Sequence, residues 1–192
     1  MYLDVNNDGV IDGADRVFIG SPHPKYWGGL TNTLSWKGFD LKGFFQFTQG
    51  QTIFNAISVF ANDAGYYYDN KFRSLLRRWR QPGDVTDQPR ASFDGTSNAI
   101  GLISSRYFED GSYVRLQELT LGYRLPPRLG SALHMQDSRV FISGRNLHTW
   151  TKYSGYSPDV NSNGSSSNTG LATEFYAYPL ARTIMVGISG AF

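Results

Sequence analysis

Arg182-Thr-Ile-Met-Val-Gly-Ile-Ser-Gly-Ala-Phe192 closes the chain and decides how the rest of it reads. Ile184, Val186, Ile188 and Phe192 fall on one side of an extended strand, with Gly190 between them. Thr183, Met185, Gly187, Ser189 and Ala191 fall on the other, because side chains alternate with period two. Chain ends ordinarily fray, so a half-apolar strand running to the last residue calls for an explanation. A transmembrane β-barrel strand supplies one, being apolar outside and small or polar inside over roughly 9–11 residues. The final strand of a sandwich, packed on its core, supplies another, and the rest of the chain must choose.

Moving outward, four more segments alternate. Tyr26 to Trp36 sets Leu30, Leu34 and Trp36 against Thr31, Thr33 and Ser35. Lys37-Gly38 is a two-residue hairpin signal. Phe39 to Phe47 then sets Phe39, Leu41, Gly43, Phe45 and Phe47 against Asp40, Lys42 and Gln46. A third strand, Tyr113 to Leu125, shifts phase from Val114 and Leu116 to Leu119, Leu121 and Tyr123, which predicts a bulge or a change of environment. Pro126-Pro127 ends it. The fourth, Arg139 to Trp150, places Val140 and Ile142 opposite Ser143 and Arg145.

The connections sort by length: 37–38 short, 48–111 long, 126–138 medium, 152–177 long. Outer-membrane barrels have short periplasmic turns and long extracellular loops. That pattern puts 48–111 and 152–177 outside the cell and returns Phe192 to the periplasmic side. Within 48–111, Asp69 to Trp79 reads as a short helix, with Phe72, Leu75, Leu76 and Trp79 on one face and Asp69 or Asn70 as its cap. Lys71, Arg73, Arg77, Arg78 and Arg80 fall mostly on its outer side and read as a solvated face, the alternative being a basic patch for an acidic ligand.

Composition agrees with this class. Of 192 residues, 40% are hydrophobic and only 18% charged, below the roughly 25% usual for globular chains. Thirteen Phe, 12 Tyr and 4 Trp suit the aromatic girdles of a barrel. A net charge of +2 is too small to imply nucleic acid, and the lack of cysteine removes disulfides and thiolate metal sites. No run approaches the ~18 apolar residues of a spanning helix. Nor does a signal peptide precede the acidic loop at the start. Five strands cannot close a barrel whose smallest single-chain forms have about eight. The expected fold is therefore all-β: about five C-terminal antiparallel strands of a large transmembrane β-barrel with long extracellular loops. Residues 1–192 then form one C-terminal segment of a longer protein, with 182–192 as its terminal strand.

One motif carries chemistry. Residues 4–15, Asp4-Val-Asn-Asn-Asp-Gly-Val-Ile-Asp-Gly-Ala-Asp15, place side-chain oxygens at loop positions 1, 3, 5, 9 and 12: Asp4, Asn6, Asp8, Asp12 and Asp15. Gly9 falls at position 6, and Val10 offers its carbonyl at 7. Ca2+ takes six to eight hard oxygens around a sharp turn, and this spacing provides them. Ile11 at position 8 is expected to anchor the loop to a core. Position 12 holds Asp15 in place of the usual bidentate Glu, as in the calcium loops of dockerins. The competing reading is an Asn/Asp/Gly turn pinned by its own side chains. With no flanking helix pair, the ion would be structural.

Other signals are weak. His23, His134 and His148 share no ligand spacing, and no Gly-x-Ser-x-Gly elbow places a serine nucleophile. Glu109 and Asp110 are adjacent and read as part of a turn with Gly111. Asn163-Gly-Ser165 matches a glycosylation sequon that means little in bacteria. No catalytic constellation survives, and an enzyme is not expected.

Several stretches resemble the C-terminal part of the SusC/RagA family of TonB-linked outer-membrane transporters of Bacteroidetes and relatives. They are Asp4–Asp15 with Arg16 and Ile19-Gly20, Lys37-Gly-Phe-Asp-Leu41 with Phe44-Phe-Gln46, and Trp79 followed by Asp87-Gln-Pro-Arg-Ala91. Ser105–Leu116 continues through Leu119–Tyr123 and Leu125-Pro126. Then come Ser143-Gly-Arg-Asn-Leu147 with Thr151-Lys-Tyr-Ser-Gly-Tyr156 and Pro158, and finally Tyr178-Pro-Leu-Ala-Arg182. The matches are collinear and cover nearly the whole chain. The resemblance implies a barrel of about 22 strands with a plugged lumen, partnered by a SusD-like surface lipoprotein. It implies import of oligosaccharides, peptides or other nutrients, driven by the TonB complex through an N-terminal part absent here. The terminal strand with Phe192 resembles the signal read by the barrel-assembly machinery, and Tyr66, Tyr67, Tyr68 and Trp79 are candidates for stacking on sugars. The alternative, a calcium-stabilised secreted β-sandwich binding module, predicts apolar strand faces packed against each other.

Overall fold

The computed structural model describes residues 3–63, 68–92, 103–132, 135–159 and 170–191. Its elements in chain order are β1 (Tyr26–Trp36), β2 (Phe39–Gln49), β3 (Thr52–Asn55), α1 (Ala56–Ala61), β4 (Phe108–Asp110), β5 (Tyr113–Arg124), α2 (Pro127–Ala132), β6 (Gln136–Thr151), β7 (Thr173–Glu174) and β8 (Thr183–Ala191). Two compact units emerge.

The first unit to consider spans 24–50, 111–158 and 178–192 and holds a five-stranded antiparallel sheet in the order β1-β2-β5-β6-β8. These are the five strands read from alternation. Lys37 and Gly38 turn the first hairpin with φ of 46° and 86°, the twist-matched geometry that two-residue hairpins favour. Of the two readings of the phase shift, the bulge is the one found: the register of β2 and β6 against β5 passes from Leu116 to Glu118, skipping Gln117. That extra residue returns Leu119, Leu121 and Tyr123 to the face already held by Val114 and Leu116.

Register then lines up whole rows. Leu34, Leu41, Leu121, Ile142 and Val186 are cross-strand partners in one row across all five strands. One row toward the hairpin turn lie Trp36, Phe39, Tyr123, Val140 and Ile188. Toward the other end, Gly28, Phe47, Val114 and Trp150 form another. The sheet is inside out relative to a soluble protein. Leu34 is 59% exposed, Ile184 71% and Val186 79%, whereas Thr48, Arg115, Thr120 and Ser143 are buried. A sandwich would have packed that apolar face on a second sheet; here it is exposed.

The other unit comprises residues 1–23, 51–110 and 159–177. Both long connections contribute to it and carry structure that alternation did not reveal. β4, β3 and β7 form a small sheet in which β3 runs antiparallel to β4 and parallel to β7. Asn55 caps α1 by accepting from the Ser58 amide at 3.1 Å. Among the described residues, Ile53, Ala56, Ile57, Ala61, Leu75 and Tyr107 are its buried apolar ones.

Three local expectations are corrected. The helix expected over Asp69–Trp79 is only a 3-10 turn, Arg73–Arg77, with Phe72 at its cap position and no side-chain cap bond. Its apolar period is used to bury Leu75 alone, and Leu76 stays exposed. Glu109 and Asp110 lie in β4 and not in a turn, paired with Ile53 and Thr52. Ile11 anchors nothing, being 39% exposed. No helix among the described residues is long and apolar enough to cross a membrane, which says nothing about strands.

Candidate functional site

The polar face of the five-stranded sheet is built by the residues between the apolar rows. Asp40 on β2 accepts from Arg139 on β6, Oδ1 from Nε at 2.9 Å and Oδ2 from Nη2, an ion pair reaching over β5. It passes above Gly122, where an added Cβ would sit 2.2 Å from Nη2 of Arg139, so only a missing side chain leaves room. Lys42 lies 3.6 Å from Glu118, which accepts from Thr120 at 3.3 Å, and Thr120 shares a hydrogen bond of 2.7 Å with Ser143. Gln46 donates to the Tyr113 hydroxyl at 3.2 Å. A wall of paired charges and hydroxyls results, suited to line a water-filled or plugged interior. Among the described residues, Gln117 Oε1 at the bulge is the only buried side-chain polar atom without a partner.

At the end of the sheet away from the hairpin turn, motifs far apart in sequence meet. Arg115 is buried on β5, donating to Thr149 at 2.8 Å and Ser157 at 3.2 Å, its guanidinium 5.0 Å from the Tyr113 ring. Asn146, in the left-handed region at φ 51°, donates to the Ala181 carbonyl at 3.1 Å. A cavity of about 220 Å³ lies there, its lining including Arg115, Asn146, His148, Tyr156, Leu180 and Arg182. Thr151 ties the same end by donating to the Ser112 carbonyl at 2.8 Å. The arrangement pins the chain after β6 and the approach to β8 onto the sheet. Alternation could not have found it, since Arg115 and Asn146 obey no strand pattern that marks them.

The acidic loop is held by its own side chains. Asp4 accepts from the amides of Gly9 at 2.8 Å and Asp8 at 3.3 Å. Asp15 accepts from those of Val5 at 2.7 Å and Asp12 at 2.9 Å. The Asp12 and Val5 amides hold the Asp15 carboxyl below its ordinary value against a small opposing desolvation. Asn6 and Asp8 close shorter turns, Asn6 onto the Asp8 amide and Asp8 onto the Val10 amide. Asp12 caps the 3-10 turn Gly13–Asp15. Asp4 and Asp15 thus face inward on loop amides. Asp8 and Asp12 are exposed, and no group of three or more His, Asp or Glu close enough to hold a metal occurs among the described residues.

Of the aromatic candidates, Tyr68 is 96% exposed and Trp79 partly buried. Tyr66, Tyr67, His134, the 161–168 stretch with its sequon, and Phe192 lie outside the described residues.

No family model matches the chain. Over its whole length it is 34% identical to TonB-dependent receptor P3 of Formosa agariphila and spans 19% of that protein. It is 26% identical to TonB-dependent receptor SusC of Bacteroides thetaiotaomicron, again over its whole length, and spans 17% of it. Its structure is similar to that of the RagAB peptide importer in the closed-closed state, with a TM-score of 0.71 and 29% identity, covering 88% of this chain and 17% of that one.

Proposed function

The chain belongs to the SusC/RagA-like TonB-dependent receptors, and from that premise we propose that its five-stranded sheet is a sector of a nutrient-importing barrel in the bacterial outer membrane. The observation that carries this reading is the inversion of the sheet, with an exposed apolar face and a hydrogen-bonded polar one. From Phe39 to Phe47 is eight residues, about 27 Å along a strand at 3.4 Å each. With the usual tilt of ~40° that becomes roughly 21 Å, close to the ~25 Å apolar band of outer-membrane barrels. Trp36, Phe39 and Tyr123 then sit at the periplasmic interface, and Phe47 and Trp150 at the outer one. The edges of β1 and β8 would be paired by further strands of the same protein, since open edges do not persist in lipid. The cargo is a peptide or oligosaccharide, the connections 48–111 and 152–177 face outward, a SusD-like lipoprotein closes over them, and TonB supplies the energy. No enzymatic step is involved.

Cysteine scanning tests the placement in the full-length protein, on a background freed of other cysteines; this chain itself has none. Leu34→Cys should react with a maleimide dissolved in the membrane and resist a charged, water-soluble one. Thr33→Cys, its neighbour on the opposite face, should do the reverse. Equal labelling of both by the water-soluble reagent would end the barrel reading.

We also propose a structural Ca2+ in the loop of Asp4, Asn6, Asp8, Val10, Asp12 and Asp15. Support comes from the oxygen spacing and from Asp4 and Asp15, already turned into the loop. Filling the site requires the loop to bring at least three of these carboxylates together, since among the described residues no such group is close enough to hold a metal.

A further inference from the structure

Apolar patterning does not set the register of the last strand. On β8, Ile184, Val186 and Ile188 share one face, and Thr183, Met185, Gly187, Ser189 and Ala191 share the other. A one-residue slip against β6 would exchange the faces, but a two-residue slip keeps both. Burial marks no register through the apolar residues either, because every residue of β8 except Gly187 is exposed. Yet Arg145 faces Thr183, Ser143 faces Met185 and Phe141 faces Gly187. Something besides hydrophobic pattern selects that arrangement.

Two contacts tell it apart from its neighbours, one in the middle of β8 and one just before its start. Phe141 stands on the polar face of β6, half-buried, with its ring over Gly187. A Cβ at Gly187 would sit 2.5 Å from Cζ and 2.8 Å from Cε1 of that ring. Two-residue slips would bring Met185 or Ser189 opposite Phe141, and each carries the Cβ that the ring excludes. Moving the ring aside disturbs a further contact, since the Arg139 guanidinium, held by Asp40 of β2, lies 5.3 Å from its centre. At the other place, the Asn146 side chain donates to the Ala181 carbonyl at 3.1 Å, two residues before β8 begins. Asn146 holds φ at 51°, a conformation asparagine enters more readily than most side chains, at the point where the β5–β6 ladder skips from Arg145 to His148. A two-residue slip would carry that carbonyl about 7 Å along the strand, out of hydrogen-bond reach.

We propose that Phe141 over Gly187 and Asn146 on Ala181 together form a register lock for the terminal strand. Covering a strand glycine with an aromatic ring is a general device for pinning register. The two contacts read positions six residues apart on the incoming chain, and one slip forfeits both while gaining no apolar burial. The pairing of β6 with β8 does not depend on the membrane placement proposed above. Its consequence does, because the stagger of each strand fixes the tilt and width of a closed barrel.

The test is disulfide cross-linking in the full-length protein, on a background freed of other cysteines, with folding read by heat-modifiable gel mobility. Ser143→Cys with Met185→Cys reports the observed register. Ser143→Cys with Thr183→Cys, and Arg145→Cys with Met185→Cys, report slips of two residues in either direction and leave all four lock residues in place. In the observed register those last pairs are diagonal neighbours, too far apart for a disulfide. The otherwise unaltered protein should therefore cross-link through 143 and 185 alone. Combining Phe141→Ala with Asn146→Ala should shift part of the yield to a slipped pair, and Gly187→Ala should do so more weakly. Phe141→Tyr should keep the observed pair alone. If the double variant does not fold, Phe141→Leu with Asn146→Gly is read in its place, since it keeps apolar bulk and left-handed backbone but loses both contacts. A folded variant lacking both contacts that still cross-links only through 143 and 185 overturns the proposal. Loss of folding in both double variants overturns it as well, making these residues requirements for folding and not for register.

Discussion

Placing an arginine at Ile184 or at Met185 puts the same charge on opposite faces of the same strand, and the two should differ by kilocalories. Ile184 is the β8 member of the row Asn32, Gly43, Leu119, Gly144 and Ile184. Gly43 lies four residues from Phe39 and four from Phe47, so this row is midway between the two aromatic ends, about 14 Å along the strand from each. At a tilt of ~40° that is roughly 10 Å of depth, near the membrane midplane. Arginine on the lipid face of a barrel at that depth costs about 2–4 kcal/mol, roughly 30- to 900-fold in the folding equilibrium. Met185 faces Ser143 on the polar side, where Arg keeps water and hydroxyls as neighbours and should cost under about 1 kcal/mol. The assay is urea unfolding of the full-length barrel in lipid bilayers, with the folded fraction read by heat-modifiable gel mobility. Ile184→Arg should shift the midpoint well below wild type, and Met185→Arg should hardly move it. Equal costs, or Met185→Arg as the worse variant, would mean that the exposed apolar rows do not face lipid.

Five further outcomes follow. Arg139→Ala should cost about 1 kcal/mol, the value expected of a bidentate but part-exposed pair. Gly122→Ala, which pushes the guanidinium off Asp40, should cost a similar amount and add nothing on top of Arg139→Ala in a double-mutant cycle. Gly38→Val should destabilise by roughly 1–2 kcal/mol through its positive φ, seen as a lower unfolding midpoint without loss of assembly. Because the folded Asp15 carboxyl titrates below its ordinary 3.8, its hold on the loop is complete above that value and lost as pH falls through the lowered one. Amide exchange at Val5 and Asp12 should therefore stay protected at neutral pH and rise only in strong acid, and Asp15→Asn should abolish that pH dependence. If the loop takes calcium, Tb3+ luminescence should titrate with the wild-type protein and vanish in an Asp4→Asn, Asp12→Asn double variant; an unchanged signal would remove the metal from the account.

Alternation along single strands revealed the five long strands, the hairpin turn and the phase shift after Leu116, because period-two patterning is a local property that one strand displays by itself; that the shift is a bulge at Gln117 came from pairing. Chirality at Lys37-Gly38 is equally local. The short elements were invisible for the opposite reason. β7 is two residues long and exists only because Thr173 and Glu174 meet β3 more than a hundred residues earlier. Likewise, the 3.6-residue spacing around Leu75 and Leu76 was a genuine pattern, but a single buried contact did not sustain a helix. The acidic loop was legible as a spacing of oxygens, while the engagement of Asp4 and Asp15 by loop amides needed coordinates.

Register belongs wholly to tertiary structure. A strand's sequence says that its residues alternate; only pairing says that Leu34, Leu41, Leu121, Ile142 and Val186 share a row, or that Arg139 reaches Asp40 over the empty place at Gly122. Which face was buried was also undecidable from alternation, since a sandwich strand and a barrel strand carry the same period. Exposure resolved it, because whether an apolar row meets another sheet or the surroundings depends on where distant strands go. Hydrophobic pattern is written residue by residue along the chain, whereas the partners that pattern meets are settled by the closure of long loops.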